Sequence, residues 1–82
     1  MTSVFIIITN DGESGNFVEP KAYQTEGAAI FAGATVADAM AKQTNSVFTR
    51  CEHSKSSIYP AEWNSKKGGS VCVKRLTVVV PS

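Results

Sequence analysis

The stretch from Thr25 to Gln43, TEGAAIFAGATVADAMAKQ, is the one long helical signal in the chain, and every other segment reads as strand or turn around it. Thr25 suits the N-cap because its hydroxyl can accept from a free backbone N–H of the first turn, and Glu26 suits the positive end of the helix dipole. At about 100° per residue, Ile30, Gly33, Ala34, Ala37 and Ala41 share one face, with Val36 and Met40 on one flank and Phe31 on the other. Thr35, Asp38 and Lys42 form the polar stripe, the last two in the favourable order for an ion pair one turn apart. A face built from Ala and Gly admits a close backbone, which suits a helix lying flat on a sheet. Gly33 costs about 1 kcal/mol against Ala inside a helix, and Thr35-Val36-Ala37-Asp38 has the form of a capping sequence. A bend at Gly33 or a later start at Val36 therefore rivals one continuous helix, and continuity is the expectation carried forward.

The flanks are extended. Val4-Phe5-Ile6-Ile7-Ile8 is a β-branched apolar run that fits a central strand with both faces partly covered. Asn10-Asp11-Gly12 and Ser14-Gly15-Asn16 supply turn chemistry. Phe17-Val18-Glu19 resumes extension, and Pro20, with no N–H to donate, keeps that segment out of a sheet centre. After the helix, Val47 to His53 alternates like a half-buried strand. Residues 54–69 read as a polar loop punctuated by Pro and Gly, long for a connection in so short a chain. Val71 to Val80 reads as the last strand, ended by Pro81. Its apolar positions change phase between Val73 and Leu76, which a bulge near Lys74-Arg75 would reconcile. The expected fold is α+β in the order β-β-α-β-β. One domain spans residues 1–82, with a single helix on one face of a mostly antiparallel sheet.

Composition excludes several classes. An apolar fraction of 43% with 18% charged residues is globular rather than disordered, and no run approaches the roughly 20 apolar residues of a membrane span. No basic residue precedes the run Val4 to Ile8, so no signal peptide is expected and the cytoplasm is the default compartment. The net charge of +1 conceals a division. Residues 1–41 hold five acidic side chains against Lys21, a net of −4, and residues 42–82 hold seven basic ones against Glu52 and Glu62, a net of +5. Such asymmetry suggests charged partners, or neutralisation where strands from the two halves lie side by side.

The candidates for chemistry are weak. Gly12-Glu13-Ser14-Gly15 lacks the spacing of a nucleophile elbow and joins two strands. Lys66-Lys67-Gly68-Gly69-Ser70 reverses the end of a P-loop and lacks its following helix. Cys51, His53 and Cys72 would supply only three metal ligands, without the close pair typical of zinc. Reduced, partly buried thiols are the expected state of the two cysteines, and adjacent strands could bring them together. His53 has Glu52 as its sequence neighbour, but neighbours on a strand point apart. No enzyme, metal or cofactor is expected.

Residues 54–69 carry more weight, because Tyr59 and Trp63 stand among polar residues between Lys55 and Lys66-Lys67. Aromatics beside basic side chains are enriched at binding hot spots, and the alternative is that they fold back over the sheet. Tyr59, Trp63, Lys66, Lys67, Arg50 and Lys55 are the expected partner surface.

The run Phe17-Val18-Glu19-Pro20-Lys21-Ala22-Tyr23-Gln24-Thr25 resembles the hairpin-to-helix joint of small phage-encoded inhibitors, among them the phage inhibitor of bacterial RNA polymerase and several anti-CRISPR proteins. The resemblance covers roughly residues 17–41 and is architectural. It implies a small non-enzymatic inhibitor in the host cytoplasm that docks on a larger protein or ribonucleoprotein complex. The basic C-terminal half with Phe48, Tyr59 and Trp63 supports a nucleic-acid binder as the alternative, although a pI near 7.8 is low for that class. An unpaired sheet edge would also permit a homodimer.

Overall fold

The computed structural model describes residues 2–12, 15–51 and 58–79. Its elements are β1 (Thr2–Asn10), β2 (Asn16–Tyr23), α1 (Glu26–Thr44), β3 (Phe48–Arg50), β4 (Ala61–Ser65) and β5 (Ser70–Val78). The strands form one sheet in the order β2-β1-β5-β4-β3, antiparallel throughout. The α+β class and the single helix over an antiparallel sheet are as expected, with one strand more.

Local chemistry accounts for each boundary. Thr25 has extended backbone, and its Oγ1 accepts from the Ala28 N–H at 3.2 Å, which caps α1. At the other end Asn45 turns left-handed (φ 52°), and the Ser46 N–H closes back on the Ala41 carbonyl at 3.0 Å. The helix runs unbroken between these caps, so it neither breaks at Gly33 nor starts at Val36. Asp38 and Lys42 do pair, at 3.4 Å, although a pair so exposed adds little stability.

The helix buries Ala29, Gly33 and Ala37 against Phe5, Ile7, Trp63, Val71 and Val73. Relative to the expected face, Ala29 replaces Ala34, and Phe31 is left 78% exposed. Gly33 has a specific cause. A Cβ there would stand 2.8 Å from Cζ3 and 3.0 Å from Cη2 of Trp63, and 3.2 Å from Cγ2 of Val73. The helix therefore crosses the indole at a distance only glycine allows.

Two readings need correction. Residues 54–69 are not one loop, because Ala61–Ser65 forms β4 between β3 and β5. The alternation Ala61, Trp63 against Glu62, Asn64 is present in the sequence, but serine, lysine, proline and glycine on both sides mask so short a signal. Nor does β5 bulge at Lys74-Arg75, since its pairing with β1 runs without a slip from Thr2↔Val78 to Asn10↔Ser70. The change of phase reflects the cover instead. Val71 and Val73 face the helix, whereas farther along Leu76 and Val78 turn to the opposite face and Arg75 takes the helix side. The irregularity lies in β2, where register shifts between the partners of Ile6 and Ile8, and β2 is an edge strand as Pro20 requires.

Gly33→Ala should lower stability by about 1–3 kcal/mol, since the clash with the buried indole outweighs the gain in helix propensity. Gly27→Ala, where a Cβ meets nothing within 4 Å, should raise it by about 0.5 kcal/mol. Urea unfolding of the two variants checks these opposite signs.

Candidate docking surface

Among the described residues one helix serves five strands and covers one sheet face, and register lays out the other as cross-strand rows. Asn16, Asn10, Ser70, Asn64 and Thr49 form a polar row at the hairpin end. Val18, Ile8, Cys72 and Glu62 follow, and the Cys51 N–H extends that row by donating to the Glu62 carbonyl at 2.8 Å. Beyond lie Ala22, Ile6 and Lys74, then Val4 and Leu76, then Thr2 and Val78. The face thus grades from polar to apolar along the strands.

At the apolar end Val4, Ile6 and Leu76 are half-buried, and Val78 is exposed. The segment entering β4 adds Ile58, 53% exposed, whose carbonyl accepts from the Arg75 N–H at 2.7 Å. Tyr59 follows, 40% exposed, with the Lys74 ammonium 5.9 Å from its ring centroid. Contiguous aliphatic and aromatic surface of this kind, with a cation within it, has the composition of a protein contact.

The described residues among those expected to bind do not all lie on the open face. Tyr59 belongs to the open face. Trp63 is only 7% exposed and lies on the helix side, so it is corrected from partner surface to core; its indole, with Val73 beside it, fills the space beneath Gly33. Arg50 stands over that indole at 5.8 Å from the centroid. Lys67 is spent on structure, since its Nζ donates to the carbonyls of Thr44 at 3.3 Å and Asn45 at 3.2 Å, where the negative end of the helix dipole favours a cation. Lys66 is exposed at the hairpin turn, and Lys55 lies outside the described residues. Ile58, Val78, Leu76 and Ile6 were missed; for the last three, alternation within β1 and β5 was the available signal, but it did not say which face the helix covers.

Cys51 and Cys72 share the open face but flank Glu62 on successive strands, about 9.5 Å apart. A disulfide between them cannot close at that span, and both are free thiols. Among the described residues no three potential metal ligands come together; His53 lies outside them. Burial and then the Glu62 carboxylate push the Cys72 thiol up, against smaller opposing effects of Lys74 and the Ile8 backbone. It is therefore held protonated at neutral pH and is a poor nucleophile. Among the described residues no helix is long and apolar enough to cross a membrane.

No match was found. No family model, no curated protein and no solved structure matches the chain.

Cys72 should react with iodoacetamide more slowly than a free cysteine at pH 7.5, and Glu62→Gln should speed it by removing the charge that opposes ionisation. Rates measured by mass spectrometry across pH 7 to 10, which also separate Cys72 from Cys51, check both statements.

Proposed function

We propose that the chain is a non-enzymatic docking module that applies the open face of its sheet to a larger protein or ribonucleoprotein assembly. The observation that carries this reading is the apolar end of that face, where Ile58, Tyr59 and Val78 are exposed around half-buried Val4, Ile6 and Leu76. Its hydrophobic gain is released only on contact with another surface. The resemblance of residues 17–41 to small phage-encoded inhibitors supports the further reading that docking blocks the partner, an anti-CRISPR or host-takeover type of action in a host cytoplasm. The alternative of a nucleic-acid binder receives less support. The basic residues are dispersed, with Lys74 on the open face, Arg75 on the helix side and Arg50 on β3, and Lys67 is already engaged.

The test is an affinity pull-down from host lysate with mass spectrometry, comparing the natural chain with Ile58→Glu/Val78→Glu and with Thr35→Glu on the outer side of α1. A specific partner should be captured by the natural chain and by Thr35→Glu, and reduced about tenfold or more by the face variant, since two buried charges disrupt an apolar contact. Capture undiminished by the face variant would reject the surface. Retention on nucleic acid at ~50 mM salt that falls steeply as salt rises would favour the alternative instead.

A further inference from the structure

We infer that the free edge of β3, with the groove between it and α1, is a second docking site that takes an extended peptide segment of alternating apolar and acidic residues. Register decides which backbone groups are free. The Cys51 N–H donates to Glu62, and hydrogen-bonded pairs alternate in an antiparallel ladder. Thr49 therefore also directs its N–H and C=O to β4, whereas Phe48 and Arg50 direct theirs outward. The far side of β4 agrees. The Ser65 N–H donates to the Gly69 carbonyl at 2.9 Å, so Ala61, Trp63 and Ser65 serve β5 and leave Glu62 and Asn64 to serve β3. Among the described residues none bonds to the outward groups of Phe48 and Arg50.

Beside this edge lies a groove of about 290 Å³, floored by Phe48 and Trp63 and walled by Ala34, Ala37 and Ala41. Phe48 and Arg50 place their side chains on the helix side. A strand added to β3 would place alternate side chains on that same side, over the groove. The alanine wall leaves room there for an aliphatic side chain.

Charge selects the occupant. Arg50 stands on the groove side of the edge. Lys66 lines the surface beside Thr49 on the other side, where the acidic side chains of an added strand would point. Asp38, which itself lines the groove, is paired with Lys42. A second copy pairing through β3 would bring the same cations together across the two-fold axis, so an acidic segment fits better than self-association. The opposite edge of the sheet is blunted by Pro20, by the bulge and by Glu19 and Lys21. No proline interrupts β3.

A heptapeptide library displayed on phage, selected against the whole chain with Ala34→Leu as counter-selection, tests this. Ala34 is exposed, so leucine fills the groove without entering the core. Alternating apolar–acidic sequences should be enriched. As synthetic peptides they should shift the emission of Trp63, the single tryptophan, and slow amide exchange at Phe48 and Arg50. Methylating the peptide amides that face the edge should weaken binding about tenfold or more, because the added strand is held by main-chain hydrogen bonds. Ile58→Glu/Val78→Glu should leave this binding unchanged, which separates the site from the open face. No enrichment over the counter-selection, or binding that survives both Ala34→Leu and amide methylation, overturns the inference. Protection of the Phe48 and Arg50 amides that rises with protein concentration alone also overturns it, because a second copy then occupies the edge.

Discussion

The contact between the Trp63 indole and the backbone of α1 at Gly33 is the constraint on which the rest of the structure depends. The described core contains few large side chains, and the helix contributes mainly alanine and glycine to it. One indole on β4 therefore fills the space beneath the helix centre, and the helix must lack a side chain at that point. The same ring and Val73 both crowd the Gly33 position, and the ring carries Arg50 on its β3 side. Helix, central strands and edge strand are held in one relation through a single residue, and a cavity there would loosen all of them together.

The sheet is wider than one helix can cover, and the surface follows from that mismatch. Residues on the covered side are buried from Phe5 to Thr9 on β1 and at Val71 and Val73 on β5, while those of alternate parity are half-buried or exposed. An antiparallel sheet tolerates one solvated face when that face is polar. Here it is polar only near the hairpin ends and becomes aliphatic toward Val4, Leu76 and Val78. The two edges differ as well: β2 carries the proline and the bulge, and β3 leaves the backbone groups of Phe48 and Arg50 directed outward.

The turns at the hairpin end complete the frame. Gly68 has φ +102°, and its N–H bonds to the Ser65 carbonyl at 3.1 Å, which lets β4 turn into β5. The turn brings Lys67 onto the last carbonyls of α1, so the charged end of the hairpin anchors the C-terminus of the helix. The sheet order sets the two halves side by side, β2-β1 from the acidic half and β5-β4-β3 from the basic half, and they meet where β1 pairs with β5.

Much of the fold was legible from local chemistry. The Thr25 cap, the Ala-rich period of α1, the β-branched run of β1 and the proline of β2 each act within a few residues, and each marks the element it forms. Less of the candidate surface was legible, and among the described residues expected to bind, Tyr59 alone lies on the open face. Whether Trp63 is core or surface, which phase of β5 meets the helix and what Lys67 bonds are set by contacts between residues far apart in the chain. Hydrophobicity states that a side chain gains by leaving water. Only the packed arrangement, with one helix across a five-stranded sheet, decides which side chains do so and which remain for a partner.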